Sequence, residues 1–83
     1  MGRKKGKMNR LRRAAIRRVM EKLDELKAEI EGIRDEEQDA YDNLPESFMF
    51  GERGEAMESA IDSLDEAAEG VDAALEALEA AME

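Results

Sequence analysis

The feature that most constrains the fold is a short segment, residues 44–54, that separates two long stretches of helical periodicity. It contains the only proline, Pro45, together with two of the six glycines and both phenylalanines. Proline disfavours the helical conformation at the residue before it, so a first helix should end near residue 43. The segment therefore predicts the bend of a helical hairpin, with helix 1 running to about 43, the turn at 44–54 and helix 2 at 55–82.

Apolar residues recur at alternating spacings of three and four on both sides of this turn. Such spacing places them at the a and d positions of a seven-residue coiled-coil repeat, lettered a to g. The first series is Ile16, Val19, Leu23, Leu26, Ile30 and Ile33, and the second is Met57, Ile61, Leu64, Ala68, Val71, Leu75, Leu78 and Met82. We predict an all-α fold in which residues 16–83 form an antiparallel two-helix coiled-coil hairpin that associates into a helical bundle.

Charges beside the two apolar series predict how the helices align. When a positions of one helix face d positions of the other, the e positions pair Lys27 with Asp72 and Arg34 with Asp65, and both pairs have opposite charges. The g positions of helix 2, on the other side, are all alanine: Ala60, Ala67, Ala74 and Ala81. An apolar face that includes the g positions is wider than two helices need, so we predict self-association into a dimer or higher oligomer.

The charge balance differs sharply between the two parts of the chain. Residues 1–34 hold twelve Lys or Arg and five Asp or Glu, whereas residues 35–83 hold one Arg and seventeen Asp or Glu. A chain polarised in this way is typical of interaction proteins. Because histidine and cysteine are both absent, nucleophile–base pairs and zinc sites lack their usual residues. We therefore expect no enzymatic activity, no metal and no cofactor.

Residues 1–15 are predicted to be a basic N-terminal arm that extends past the end of helix 2. The cationic residues in and next to this arm are Arg3, Lys4, Lys5, Lys7, Arg10, Arg12, Arg13, Arg17 and Arg18. They predict binding to nucleic-acid phosphates or to an acidic protein partner. The alternative is that they neutralise acidic residues of the chain's own second helix.

Two further groups of residues are candidates for binding a protein partner. The apolar run Phe48, Met49 and Phe50 lies in the predicted turn, where polar residues are usual. We expect its rings to fold back and cover the end of the hairpin; the alternative is that they anchor a partner. The second group consists of helix 2 carboxylates that could mimic nucleic acid: Glu58, Asp62, Asp65, Glu69, Asp72, Glu76 and Glu79.

Calcium binding and membrane targeting are not expected. Residues 35–46 place acidic residues at positions 1, 3, 5 and 12 of a calcium loop, but Ala40 stands where the loop needs a turning glycine. No apolar run has the length of a transmembrane helix, and no apolar core of a secretory signal follows the basic N-terminus. We therefore expect the cytoplasm, either of a bacterium or of an infected host cell.

The turn and its flanks also carry a resemblance. The segment at 33–47 reads IRDEEQDAYDNLPES and is followed at 52–57 by ERGEAM. In these residues the chain resembles a family of short, uncharacterised helical-hairpin proteins encoded in bacterial, prophage and phage genomes. The resemblance implies a small accessory protein with no catalytic residues. We predict a non-enzymatic protein-binding factor, in one version an inhibitor that mimics nucleic acid; the alternatives are a nucleic-acid-binding or packaging protein and a structural scaffold.

Overall fold

The computed structural model describes residues 9–83, and this part of the chain consists of three helices and contains no strand. Helix α1 spans Arg10–Asp42, α2 spans Glu46–Met49 and α3 spans Glu52–Ala81. The two long helices pack against each other in opposite directions, and α2 lies in the connection between them. The predicted all-α helical hairpin is therefore confirmed.

Helix α1 begins inside the predicted basic arm. Asn9 is its N-cap, and the side-chain oxygen of Asn9 accepts a hydrogen bond of 2.9 Å from the backbone N–H of Arg12. This bond satisfies one of the N–H groups that the first turn of a helix leaves without a partner. Residues 10–15 are thus the first turns of α1, whereas Arg3, Lys4, Lys5 and Lys7 lie outside the described residues.

The connection between the long helices has its own short helix. Asn43 ends α1, where its backbone N–H and its side-chain amide both donate to the carbonyl of Asp39, at 3.1 and 2.9 Å. The Pro45 carbonyl then accepts hydrogen bonds from the N–H groups of Phe48 and Met49, which form the single turn of α2. Helix α3 starts at Glu52, three residues before the predicted position 55.

A glycine brings α2 and α3 into direct backbone contact. Gly54 lies buried in the first turn of α3, against the backbone of Met49. A Cβ atom at this position would lie 1.9 Å from the Met49 carbonyl oxygen and 2.6 Å from its carbonyl carbon. Only glycine leaves enough space for this contact, which fixes the angle at which the chain enters α3.

Of the six predicted core positions of α1, three are covered by α3 less than predicted. The a positions Leu23 and Ile30 are partly buried, as predicted. The d positions Val19, Leu26 and Ile33 keep 47%, 50% and 54% of their surface exposed, so the prediction that they form the core with α3 is wrong.

The e positions of α1 are better covered than these d positions, and several of them contact the α3 side of the hairpin directly. They are Arg13, Met20, Lys27, Arg34 and Tyr41, and all are partly buried. The physical reason is side-chain size, because long e side chains cover apolar surface with their stems and reach the acidic residues of α3. The alanines at the g positions of α3 offer little for the d positions of α1 to pack against. Among the described apolar side chains, Ile61 alone is buried, at 6% exposure.

Candidate protein-binding surfaces

Ion pairs join the two long helices along one side of the hairpin. Lys27 Nζ lies 2.9 Å from Asp72 Oδ1, and Arg34 Nε lies 2.9 Å from Asp65 Oδ1. These are the two e-position pairs that the sequence predicts, and both are confirmed. The hydrogen bond to Asp72 is the main cause that raises the pKa of Lys27, and the hydrogen bond to Asp65 likewise raises the pKa of Arg34. Each contact therefore favours the charged form of its cation.

Tyr41 continues this row of contacts toward the turn. Its hydroxyl donates a hydrogen bond of 2.9 Å to Glu58 Oε2. This bond is the largest cause that raises the pKa of Tyr41 above its ordinary value of 10.0, and partial desolvation and the negative charges of Glu58 and Asp42 act in the same direction. The ionised phenolate cannot donate this bond and would be repelled by the carboxylate.

Titration of Tyr41 tests this contact without interference, because the chain has one tyrosine and no tryptophan. We expect tyrosinate absorbance to appear with a midpoint above pH 10.0 in the folded protein. Replacing Glu58 with Gln should lower that midpoint, since the charge that opposes ionisation is removed. Because the folded pKa is raised, the contact stabilises the fold at pH values below 10.0 and is lost as the pH rises through the folded pKa. An unchanged midpoint in Glu58→Gln would show that the hydrogen bond does not form.

At the open end of the hairpin, one arginine of the predicted arm is held by α3. Arg13 Nε donates a hydrogen bond of 2.9 Å to the carbonyl of Met82, just past the end of α3. A cation is favoured there because the last carbonyl groups of a helix carry partial negative charge. The remaining described cations of the arm set, Arg10, Arg12, Arg17 and Arg18, are exposed and form no ion pair within residues 9–83.

The turn end of the hairpin, residues 44–54, exposes both phenylalanines. Phe50 keeps 80% of its surface exposed and Phe48 keeps 48%. The expectation that both rings fold back to cover the hairpin end is therefore wrong. The physical reason is that Met49, whose backbone packs on Gly54, is the partly buried residue of the run, so the residues on either side of it are directed outward.

The predicted carboxylates of helix 2 divide into two rows. Glu58, Asp65 and Asp72 contact α1 through Tyr41, Arg34 and Lys27, which leaves them less available to a partner. The other members of the set are exposed and make no side-chain hydrogen bond or ion pair with α1. Those members are Asp62, Glu69, Glu76 and Glu79. The first three are seven residues apart, so they form a line of carboxylates at intervals of roughly 10 Å along α3.

Sequence reasoning missed two features. One is Gly54, whose place in the first turn of a helix is unfavourable for glycine and is a signal of close backbone approach. The other is the exposed apolar stripe formed by Val19, Leu26 and Ile33 on α1. The signal for this stripe was present in the long side chains at the e positions, which compete with the d positions for contact with α3.

The described residues form open grooves rather than an enclosed site. A groove of about 390 Å³ is lined by Arg34, Tyr41, Glu58 and neighbouring residues of both long helices. Within residues 9–83, no group of three or more carboxylates is placed to hold a metal ion. The helices that the structure describes include none that is long and apolar enough to cross a membrane.

Comparison of the chain with protein-family models, with curated proteins and with solved structures found no match. The resemblance carried by residues 33–57 stays a prediction. The surfaces described above are therefore the basis for assigning a function.

Proposed function

We propose that this chain is a non-enzymatic protein-binding factor that docks the turn end of its hairpin onto a basic surface of another protein. The observation that carries this proposal is the exposure of Phe48 and Phe50 at the turn. Aromatic residues provide a large share of the energy in protein interfaces, and an exposed pair on a short, well-held connection loses little entropy on binding. This role agrees with the accessory function that the resemblance implies.

The charge around the two rings favours a basic partner. Residues 35–66, which include the turn and the adjacent parts of both long helices, hold twelve Asp or Glu and one Arg. Their net charge of −11 would repel nucleic acid and anionic membranes and attract a cationic surface. The partner expected from this chemistry is a protein with an apolar pocket surrounded by Lys and Arg.

A basic groove that binds nucleic acid has this character, which supports the inhibitor version of the proposal. The exposed carboxylate line Asp62, Glu69 and Glu76 would then lie against the cations that normally contact phosphates. Salt should weaken such a complex, because its charge attraction is screened at higher ionic strength.

A second candidate function rests on the opposite end of the hairpin. Arg10, Arg12, Arg17 and Arg18 are exposed without ion pairs in the described part of the chain, and four further cations precede them in the sequence. This arrangement suits sequence-independent contact with phosphates. The strong negative charge of the turn end opposes it, so we place nucleic-acid binding second.

Photo-cross-linking tests the proposed docking end. Benzoylphenylalanine introduced at Phe50, in cells that express the chain, should cross-link to a discrete protein. The matched control is the same group at Leu11, which is 83% exposed against 80% for Phe50 but lies at the open end. With the captured partner purified, Phe48→Ser combined with Phe50→Ser should weaken binding at least tenfold, since residues of this kind contribute about 2 kcal/mol or more at interface centres.

Three outcomes would contradict the proposed function. They are the absence of a protein cross-link at Phe50, equal capture of the same proteins from Leu11, and unchanged affinity in the double serine variant. Binding of labelled duplex DNA that is lost when Arg10, Arg12, Arg17 and Arg18 are replaced with Gln would favour the second candidate instead.

A further inference from the structure

Within residues 9–83, one long side of the hairpin has no partner helix. This side is apolar along most of α3 and carries Lys22, Glu29 and Glu36 at the g positions of α1. The e positions of α1 and α3 meet on one side, as shown by the pairs Lys27–Asp72 and Arg34–Asp65. In an antiparallel pair of helices, the g positions then lie on the other side. The half-exposed stripe Val19, Leu26 and Ile33 borders that side on α1. We call this side of the hairpin the g face.

From Ala56 onward, helix α3 contributes only small residues to the g face, whereas Arg53 occupies the g position in its first turn. Its later g positions are Ala60, Ala67, Ala74 and Ala81, and its c positions next to them are Ala56, Ser63, Gly70 and Ala77. Its acidic residues occupy the b, e and f positions and point away from this face. A second helix can therefore approach α3 closely here without burying a carboxylate.

We propose that the g face is covered by a second copy of this chain, in a two-fold symmetric dimer whose hairpins lie head to tail. The two-fold axis of this dimer lies in the interface, perpendicular to the long direction of the hairpins. It packs α1 against α1 of the other copy and α3 against α3, and the helices of each pair run antiparallel. Leu26 is the midpoint of both the apolar stripe and helix α1, which spans Arg10–Asp42. An axis at Leu26 therefore places Val19 of each copy near Ile33 of the other and overlaps α1 along its whole length.

Lower charge repulsion favours the head-to-tail orientation over the parallel one. The turn half, residues 35–66, has a net charge of −11. The open half, residues 9–34 and 67–83, holds eight Lys or Arg and ten Asp or Glu, and four more cations precede it in the sequence. A parallel dimer would place two turn halves side by side, whereas the head-to-tail dimer places each turn half beside an open half. In this register Lys22 of one copy also lies near Glu29 of the other, twice by symmetry.

The available area is sufficient for a stable dimer. With the axis at Leu26, α1 overlaps its copy over all 33 residues, which is roughly 50 Å. Because Lys27 lies level with Asp72, α3 overlaps its copy only from about residue 65 to Ala81, which is roughly 25 Å. Each helix is roughly 10 Å across, so the dimer covers about 750 Å² on each copy. Stable protein interfaces bury about 800 Å² on each partner. The hairpin also gains from this burial, because Ile61 is the only apolar side chain that is buried within the described part of a single copy.

Sedimentation equilibrium tests the dimer at micromolar concentration. The parent chain should show twice its own mass of 9.3 kDa. Leu26→Lys should weaken the dimer at least tenfold while circular dichroism shows an unchanged helix content, because half of the Leu26 side chain already faces solvent in a single copy and a lysine ammonium can occupy that side. Ala28→Lys is the matched control, since this exposed f position of α1 lies away from the g face. A monomer mass for the parent, or equal dissociation in both variants, would overturn the proposal.

Pulsed electron paramagnetic resonance tests the orientation, because the chain has no cysteine to compete with an introduced label site. Labels at Ser47→Cys should be roughly 50 Å from each other across the dimer, which is the length of the hairpin. Mixing copies labelled at Ser47→Cys with copies labelled at Arg10→Cys should give a short distance, because the exposed Arg10 begins α1 at the open end, which lies beside the turn of the other copy. A short distance between two Ser47→Cys labels would contradict the head-to-tail arrangement. These results do not depend on the protein partner proposed above.

Discussion

Gly54→Ala should destabilise the hairpin by about 1–3 kcal/mol, the usual cost of forcing extra atoms into a packed site. The added methyl group would lie 1.9 Å from the Met49 carbonyl oxygen and 3.0 Å from the Met49 Cα atom. These are backbone atoms, so no side-chain rotation can relieve the clash, and α2 must move away from the start of α3. Urea unfolding followed by circular dichroism measures the loss of stability.

Gly32→Ala is the matched control for this experiment. Gly32 lies inside a long helix, and a Cβ atom at this position would meet no heavy atom within 4 Å. The change should stabilise the hairpin by about 1 kcal/mol, because glycine is unfavourable in a helix interior. The two substitutions add the same methyl group but should change stability in opposite directions. Equal effects at Gly54 and Gly32 would show that α2 does not pack on α3.

Replacing Lys27 and Arg34 together with Asp should have a comparably large effect on the fold. Each change turns an attraction at 2.9 Å into a repulsion, at Asp72 and at Asp65. The loss of two cations and the gain of two carboxylates also change the net charge from −9 to −13. We expect the melting temperature to fall sharply and the helical signal to decrease before the main transition.

Arg17→Asp combined with Arg18→Asp is the control for net charge, which again becomes −13. These arginines are on the same helix and form no ion pair within the described residues. The control should melt well above the variant at Lys27 and Arg34. Equal melting temperatures would mean that total charge, rather than the two contacts, controls stability.

The architecture and the register of the hairpin were predictable because each depends on local sequence signals. Pro45 predicts the end of α1 near Asp42, and the opposite charges at Lys27 and Asp72 predict which residues meet. The rotation of α1 about its own axis was harder to predict. The a and d spacing identifies the apolar positions, but it does not say whether the e or the g positions beside them also pack against α3. Here the long e side chains of α1 do so, and Leu26 stays half-exposed.

The turn end shows a second limit of sequence reasoning. A run of apolar residues in a connection predicts either cover for the hairpin end or an exposed anchor, and composition does not distinguish them. The outcome depends on the backbone contact between Met49 and Gly54, which determines the directions of Phe48 and Phe50. Such a contact joins residues in two different helices and becomes visible only in three dimensions.

Helices α1 and α3 are aligned through the pairs Lys27–Asp72 and Arg34–Asp65. Both proposed binding surfaces, the g face and the turn end, depend on this alignment. The direct test is the melting temperature of the variant with Asp at positions 27 and 34 after Asp65→Arg and Asp72→Lys are added. We predict recovery to near the parent value. Asp62→Lys and Glu69→Arg, which restore the same net charge of −9 at exposed sites, should recover far less. Equal recovery by the two pairs of substitutions would contradict the alignment.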